Sequence, residues 1–261
     1  MDRMIHTALN SLKMILQNQQ ITSQNIANAS VVGYRKDASS EFGTAYLNGE
    51  DALNTRVFAT RQIGTFSDAQ GNLESTENPL DVAINGEGYM IIQPNMGEGI
   101  ALSRRGDLKI DLNGQLMNGE GSLILGEDLQ PIIIPAFREL EISKEGAINI
   151  KPLEAPLDAP AQFIANIGTT NAAELELEKD GNGFIRPKQI IGEQGEIENP
   201  EILAQQNVFM VNKYLEKSNV NPVEELILTL EHQRNYETHV KFIDLAKQMD
   251  EGGASLMRVP N

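Results

Sequence analysis

Apolar and small side chains recur at alternating steps of three and four at both ends of the chain. Ile5, Ala8, Leu12, Ile15, Gln19, Thr22, Ile26 and Ala29 keep this spacing, and a second run over 222–250 carries Val223, Leu226, Leu230, Tyr236, Val240, Ile243 and Met249. Such spacing predicts two long amphipathic helices. The first is expected to begin near Asp2 and to fade between Asn28 and Gly33. The second has a better-marked start: Asn221 as cap, Pro222 at the first helical position and Glu224 closing a capping box, with Gly252-Gly253 expected to end it. From Pro222 to Asp250 it would span about 43 Å. A narrow apolar seam cannot be hidden by its own helix, so each needs a partner helix from this chain, from other chains, or from both.

Between the helices the period changes to two. Leu80, Val82 and Ile84 alternate with Asp81 and Ala83, and Leu108, Ile110 and Leu112 precede Asn113-Gly114, a hairpin signal. Further turns fall at Asn85-Gly86, Asn118-Gly119, Glu145-Gly146 and Asp180-Gly181-Asn182-Gly183, and short strands are expected at 132–134, 163–167 and 208–214. Residues 152–162 read as a surface loop. The expected fold is mixed α and β: long N- and C-terminal helices forming a coiled-coil-like α domain, with a central all-β domain. The expected divisions are 1–32 (N-terminal helix), 33–78 (an extended arm docking Tyr34, Phe42, Tyr46, Phe58 and Phe66), 79–218 (β domain) and 219–261 (C-terminal helix).

Composition narrows the functional classes. Among 261 residues, 21 are Lys or Arg and 37 are Asp or Glu, a formal charge of -16 that is unsuited to tracking a phosphate backbone; no nucleic-acid partner is expected. With no cysteine there are neither disulfides nor thiolate metal sites. The longest apolar run near the start is Met14-Ile15-Leu16, too short for a secretory leader, and no stretch reaches the ~18 apolar residues of a membrane span.

Catalytic motifs are not apparent. His232 and His239 lie seven apart without a His-x-x-x-His pair, the Asp180 turn has Phe184 and Ile191 where calcium needs oxygen, and Gly86-x-Gly88 lacks a third glycine. Neither a cofactor nor a metal is expected. Arg104 and Arg105 flank Gly106 in a β region and would pair either with a neighbouring subunit or within the domain.

Four segments carry a resemblance. Ser23-Gln24-Asn25-Ile26-Ala27-Asn28-Ala29-Ser30 leads into Gly33-Tyr34-Arg35-Lys36; Asn78-Pro79-Leu80-Asp81-Val82-Ala83-Ile84-Asn85-Gly86-Glu87-Gly88-Tyr89 and Ser103-Arg104-Arg105-Gly106-Asp107-Leu108 follow. Then Leu215-Glu216-Lys217-Ser218-Asn219-Val220-Asn221-Pro222-Val223-Glu224-Glu225 precedes Gln233-Arg234-Asn235-Tyr236-Glu237. In order and nature these resemble the bacterial flagellar rod and hook family. Ile124-Leu125-Gly126-Glu127-Asp128 ahead of Pro131-Ile132 is more similar to its proximal-rod branch. Val31-Val32 and Glu77 depart from the family pattern, and the turns there are expected to be shaped differently.

The resemblance implies a non-enzymatic structural subunit of the periplasmic basal-body rod. Its partners would be copies of itself, other proximal and distal rod proteins and, in transit, the flagellar export apparatus, which uses no cleaved signal peptide. The assembly interface would comprise Ile5, Leu12, Ile15, Gln19, Thr22, Asn25, Ile26, Asn28, Gly33 and Tyr34 at one end. At the other it would comprise Val223, Leu226, Leu230, Gln233, Arg234, Tyr236, Val240 and Ile243. The polar members Gln19, Thr22, Gln233 and Arg234 would penalise wrong registers. A rival reading is a carbohydrate-binding or hydrolytic β domain on a coiled-coil oligomerisation stem, which would need a concave site with convergent polar groups.

Overall fold

The computed structural model describes residues 2–38, 64–97, 99–154, 156, 159–172, 175–191, 197–198, 200, 202–205 and 207–256. Phe42, Tyr46 and Phe58 of the expected arm lie outside them. The chain is mixed α and β. It opens with helix α1 (Asp2–Ala27), runs through β1 (Leu73–Ser75), β2 (Val82–Asn85), β3 (Tyr89–Gln93), β4 (Ala101–Ser103), β5 (Lys109–Ile110), β6 (Leu116–Met117), β7 (Leu123–Ile124) and β8 (Phe137–Ile142), and continues with β9 (Ala147–Pro152), β10 (Gln162–Asn166), β11 (Thr169–Thr170), β12 (Leu177–Lys179) and β13 (Ile185–Pro187). The last strands are β14 (Ile190–Ile191), β15 (Ile197–Glu198), β16 (Phe209–Asn212) and β17 (Tyr214–Glu216), before helix α2 (Pro222–Leu256).

Packing divides the chain into two compact units. The helical unit comprises Met1–Ala27, Asp37–Ile63 and Asn221–Asn261, and the β unit comprises Asn28–Lys36 and Gly64–Val220. Residues 64–78 thus belong with the β strands.

In the helical unit α1 and α2 pack side by side and antiparallel, Asn25 near the end of α1 meeting Glu225 in the first turn of α2. The start of α2 follows its sequence signals: Asn221 Oδ1 accepts the Val223 amide at 3.1 Å, and Glu224 and Glu225 sit at the positive end of the helix dipole. Its end does not. The helix runs through Gly252 and Gly253 to Leu256, and neither glycine takes a positive φ. Glycine permits a left-handed exit but does not force one; here it stays helical at a cost of about 1 kcal/mol per residue.

The β unit is built of antiparallel pairs. Its largest sheet has the order β12-β13-β4-β3-β7-β6-β5 with β11 also on β3, and β10-β9-β8 form a meander. Two further pairings, β16 with β2 and β17 with β1, bring the last strands onto the first. β3 is buried on both faces: Met90 and Ile92 enter the main core with Val82, Ile84, Leu116, Ile124, Ile148 and Ile150, while Tyr89 and Ile91 enter a smaller one with Leu102, Leu125 and Ile185. The 113–114 hairpin forms as expected, with Asp111 Oδ1 accepting the Asn113 and Gln115 amides and Gly114 at φ 80°. Residues 132–134 do not make a strand, only the isolated bridges Gln115↔Ile133 and Leu125↔Pro131. Pro131 and Pro135 remove the donors a continuous ladder would need there.

Candidate functional site: a helix pair and a buried ionic junction

The described side chains of α1 begin at Ala8, so Ile5 lies outside them. Leu12, Ile15, Thr22 and Asn25 are buried, and Gln19 and Ile26 are half-buried on the same side. Thr22 does not reach across the seam, because its hydroxyl donates to Asn18 O of its own helix at 2.9 Å. Asn25 does: its Nδ2 donates to Asp37 O at 3.0 Å and lies 3.4 Å from Glu225 Oε2, and its Oδ1 accepts the Asp37 amide at 2.9 Å.

α2 turns a polar side inward. Its buried positions are Glu225 and Ala246, and His232 and His239 lie between them at the same seven-residue interval, each half-buried. Leu228 is half-buried, whereas Val223, Leu226, Ile227 and Leu230 of the same turns are 53–65% exposed. At 100° per residue Leu230 and Ile243 stand about 140° apart around the helix, so the C-terminal run spans two faces. Ile243 is half-buried, whereas Tyr236, Val240, Gln233 and Arg234 are exposed.

Asn28, Gly33 and Tyr34 belong to the β unit, and Gly33 borders a buried ionic junction there. Glu216 accepts a hydrogen bond from Arg104 Nη1 at 3.1 Å and forms an ion pair with Arg35, whose Nη2 lies 3.2 Å from Oε1; all three side chains are almost fully buried. Arg104 also donates to Gly88 O at 2.7 Å and Gly86 O at 2.5 Å and stacks on the Tyr89 ring; Arg35 donates to Ala69 O, and the Gly71 amide to Glu216 Oε1 at 2.9 Å. Burial and the neighbouring Arg104 charge lower the Arg35 pKa, against the pull of Glu216. Burial, and a hydrogen bond donated to Asp68, raise that of Tyr89. Arg105 turns to Asp107 at 2.8 Å, which raises its pKa. Both candidate arginines therefore pair within the domain.

Gly33 explains its own identity. It sits at φ 67°, its amide donates to Glu216 O at 2.7 Å, and a Cβ there would lie 2.4 Å from the Arg104 backbone. The four motif segments, distant in sequence, thus meet at one point. Sequence reading passed over Arg35, Glu216 and Asn219 as site residues, although all lie inside the quoted motifs. A cleft of about 430 Å³ adjoins the junction, lined by Phe66, Asp68, Glu87, Tyr89 and Arg104 among others. Within it Tyr89 donates a hydrogen bond to Asp68, and Arg104 is held by Glu216.

The sequence of the flagellar hook protein FlgE/F/G D1 domain matches residues 83–150, and that of the flagellar basal body rod FlgEFG protein C-terminal region matches 211–256. Flagellar basal-body rod protein FlgG of Buchnera aphidicola subsp. Acyrthosiphon pisum is 31% identical over 252 residues, covering 89% of this chain and 91% of its own. The chain belongs to the flagellar basal-body rod family. FlgF of Salmonella typhimurium is 28% identical over 245 residues, 93% of both chains, and FlgF of Escherichia coli 29% over 248 residues, again 93% of both. The rod-family match to 83–150 covers Arg104, and the match to 211–256 holds Glu216, Asn219 and the whole exposed stripe of α2.

Proposed function

We propose that this chain is a structural subunit of the proximal rod, of the FlgF type. It assembles with copies of itself and with other rod proteins into a helical tube that transmits torque, and it catalyses no reaction. In this reading α1 and α2 pair as in a coiled coil within one subunit, and the outward stripe of α2 is covered by helices of neighbouring subunits. The subunit passes through the flagellar export apparatus and works in the periplasmic part of the basal body.

The observation that carries this reading is the inverted arrangement of α2. A helix that buries Glu225 beside Asn25 of its partner and leaves Val223, Leu226, Ile227 and Leu230 in water has an apolar row to be buried elsewhere.

Leu230→Asp tests it. Leu230 is 57% exposed, so the variant should fold and stay soluble, yet the charge would be buried without a partner in the tube. Cells carrying it should stop rod assembly and be non-motile, whereas Glu231→Ala, off the stripe, should swim. Normal swimming by Leu230→Asp together with failure of Glu231→Ala would overturn the assignment.

A further inference from the structure

The β unit is joined to the rest of the chain next to Asn28, Lys36, Gly64 and Val220. On the β-unit side, three of these segments are tied to one another. Asn219 Oδ1 accepts the Lys36 amide at 2.6 Å, its Nδ2 donates to Ser67 O at 3.1 Å and Ala69 O at 2.8 Å, and its own amide donates to Tyr34 O at 3.3 Å. Ser67 N donates to Lys36 O at 2.8 Å. Lys179 adds a second tie: its amide donates to Gly64 O at 2.9 Å, its buried Nζ to Arg35 O at 2.6 Å, and the ammonium lies 4.2 Å from the Tyr34 ring centre. Three residues before Asn219 in the chain, Glu216 pairs with Arg35, of the same segment as Lys36, and with Arg104.

We propose that Glu216 and Asn219 are the two halves of a clamp that binds the connecting segments into one stiff bundle, so that torsion arriving along them passes into the β unit without slack. This rests on the rod reading above and adds to it the residues through which the load passes. The chemistry suits the task. An asparagine side chain offers two donor hydrogens and a carbonyl oxygen with two lone pairs, and here both donors and one lone pair are spent on backbone groups of other segments. A carboxylate shared by two buried guanidiniums resists displacement, since moving it leaves two like charges facing each other.

The test uses the full-length chain and the variants Asn219→Ala and Glu216→Gln. Amide hydrogen exchange should rise about tenfold or more at Lys36 and Gly33, which donate to Asn219 and to Glu216 O, while Ile91 and Ile92 in the β core change less than about twofold. Uniform acceleration across the β unit, or none, would overturn the clamp. In Glu216→Gln, a further Arg35→Met change should restore part of the lost protection by removing the uncompensated cation; strict additivity would overturn the charge-sharing argument. In cells Asn219→Ala should build complete flagella that swim in dilute medium and fail as viscosity rises. Normal swimming in viscous medium despite a loosened clamp, or failure to build the rod at all, would overturn the mechanical role. The rod reading fails separately, through Leu230→Asp.

Discussion

Asn25 and Glu225 are 200 residues apart in sequence and 3.4 Å apart in the structure, each about 1% exposed. One amide side chain thereby fixes where α1 stops, where the chain returns at Asp37, and which turn of α2 lies opposite. A leucine seam would tolerate sliding by a turn. A buried amide with named partners does not, because every shifted register leaves polar groups without water or partner.

Replacing Asn25 by Leu should therefore cost more than its added apolar area returns. The Asp37 backbone groups lose their partner, at about 1–3 kcal/mol, and thermal unfolding followed by the helical circular dichroism signal should shift down by several degrees. Asn25→Asp sets a carboxylate beside the Glu225 carboxylate; its destabilisation should be greatest near neutral pH and ease as the pH falls through the carboxylate range. An Asn25→Asp variant equally unstable at pH 4 and pH 7 would contradict the contact.

Gly33→Ala should damage the junction through shape alone. The new Cβ meets the Arg104 backbone at 2.4 Å in a left-handed conformation, and neither side can yield as a flexible side chain would. A loss of about 2 kcal/mol or more is expected in denaturant titration of the purified chain.

Glu77 occupies a position where the family pattern has glycine, and its backbone keeps a left-handed conformation at φ 63°. That conformation costs a residue with a Cβ about 1 kcal/mol. Because Glu77 is exposed, Glu77→Gly should be neutral to stabilising by up to about 1 kcal/mol, and Glu77→Val destabilising by about 1 kcal/mol or more. A large loss on Glu77→Gly would mean that the carboxylate itself matters.

The raised pKa of Tyr89 gives stability a sign in alkali. Its folded-state pKa lies above the ordinary value of 10.0, so its contribution is complete below about pH 10 and is lost as the pH climbs towards the folded value, where the unfolded chain alone gains by ionising. Stability should decline above about pH 10 in the wild type and less steeply in Tyr89→Phe. Equal slopes in the two would remove Tyr89 from the account.

Much of this fold was legible in the chain. The three-four spacing marked α1 and its seam, Asn221-Pro222 marked the start of α2, and Asn113-Gly114 marked a hairpin, because each rests on local geometry that neighbours in sequence dictate. Which side of α2 is covered within the subunit was not legible. Hydrophobic periodicity reports the most apolar row, Val223 to Leu230, whereas the contact with α1 is made by the buried Glu225. The junction was hidden for a different reason. Arg35, Arg104 and Glu216 are charged residues in turn-rich segments, and only long-range pairing shows that three such residues share one buried site.

The pairing of first and last strands also sets an order of events on the ribosome. Gly33 and Lys36 find their acceptors on Glu216 and Asn219, the latter 183 residues further on, and β1 and β2 find their partners only in β17 and β16. The meander of β8, β9 and β10 can close on itself once residue 166 has emerged, within loops of ordinary length. A nascent chain that has not yet delivered residues 209–219 lacks these partners, so β1 and β2 cannot complete their strand pairing until those residues have emerged.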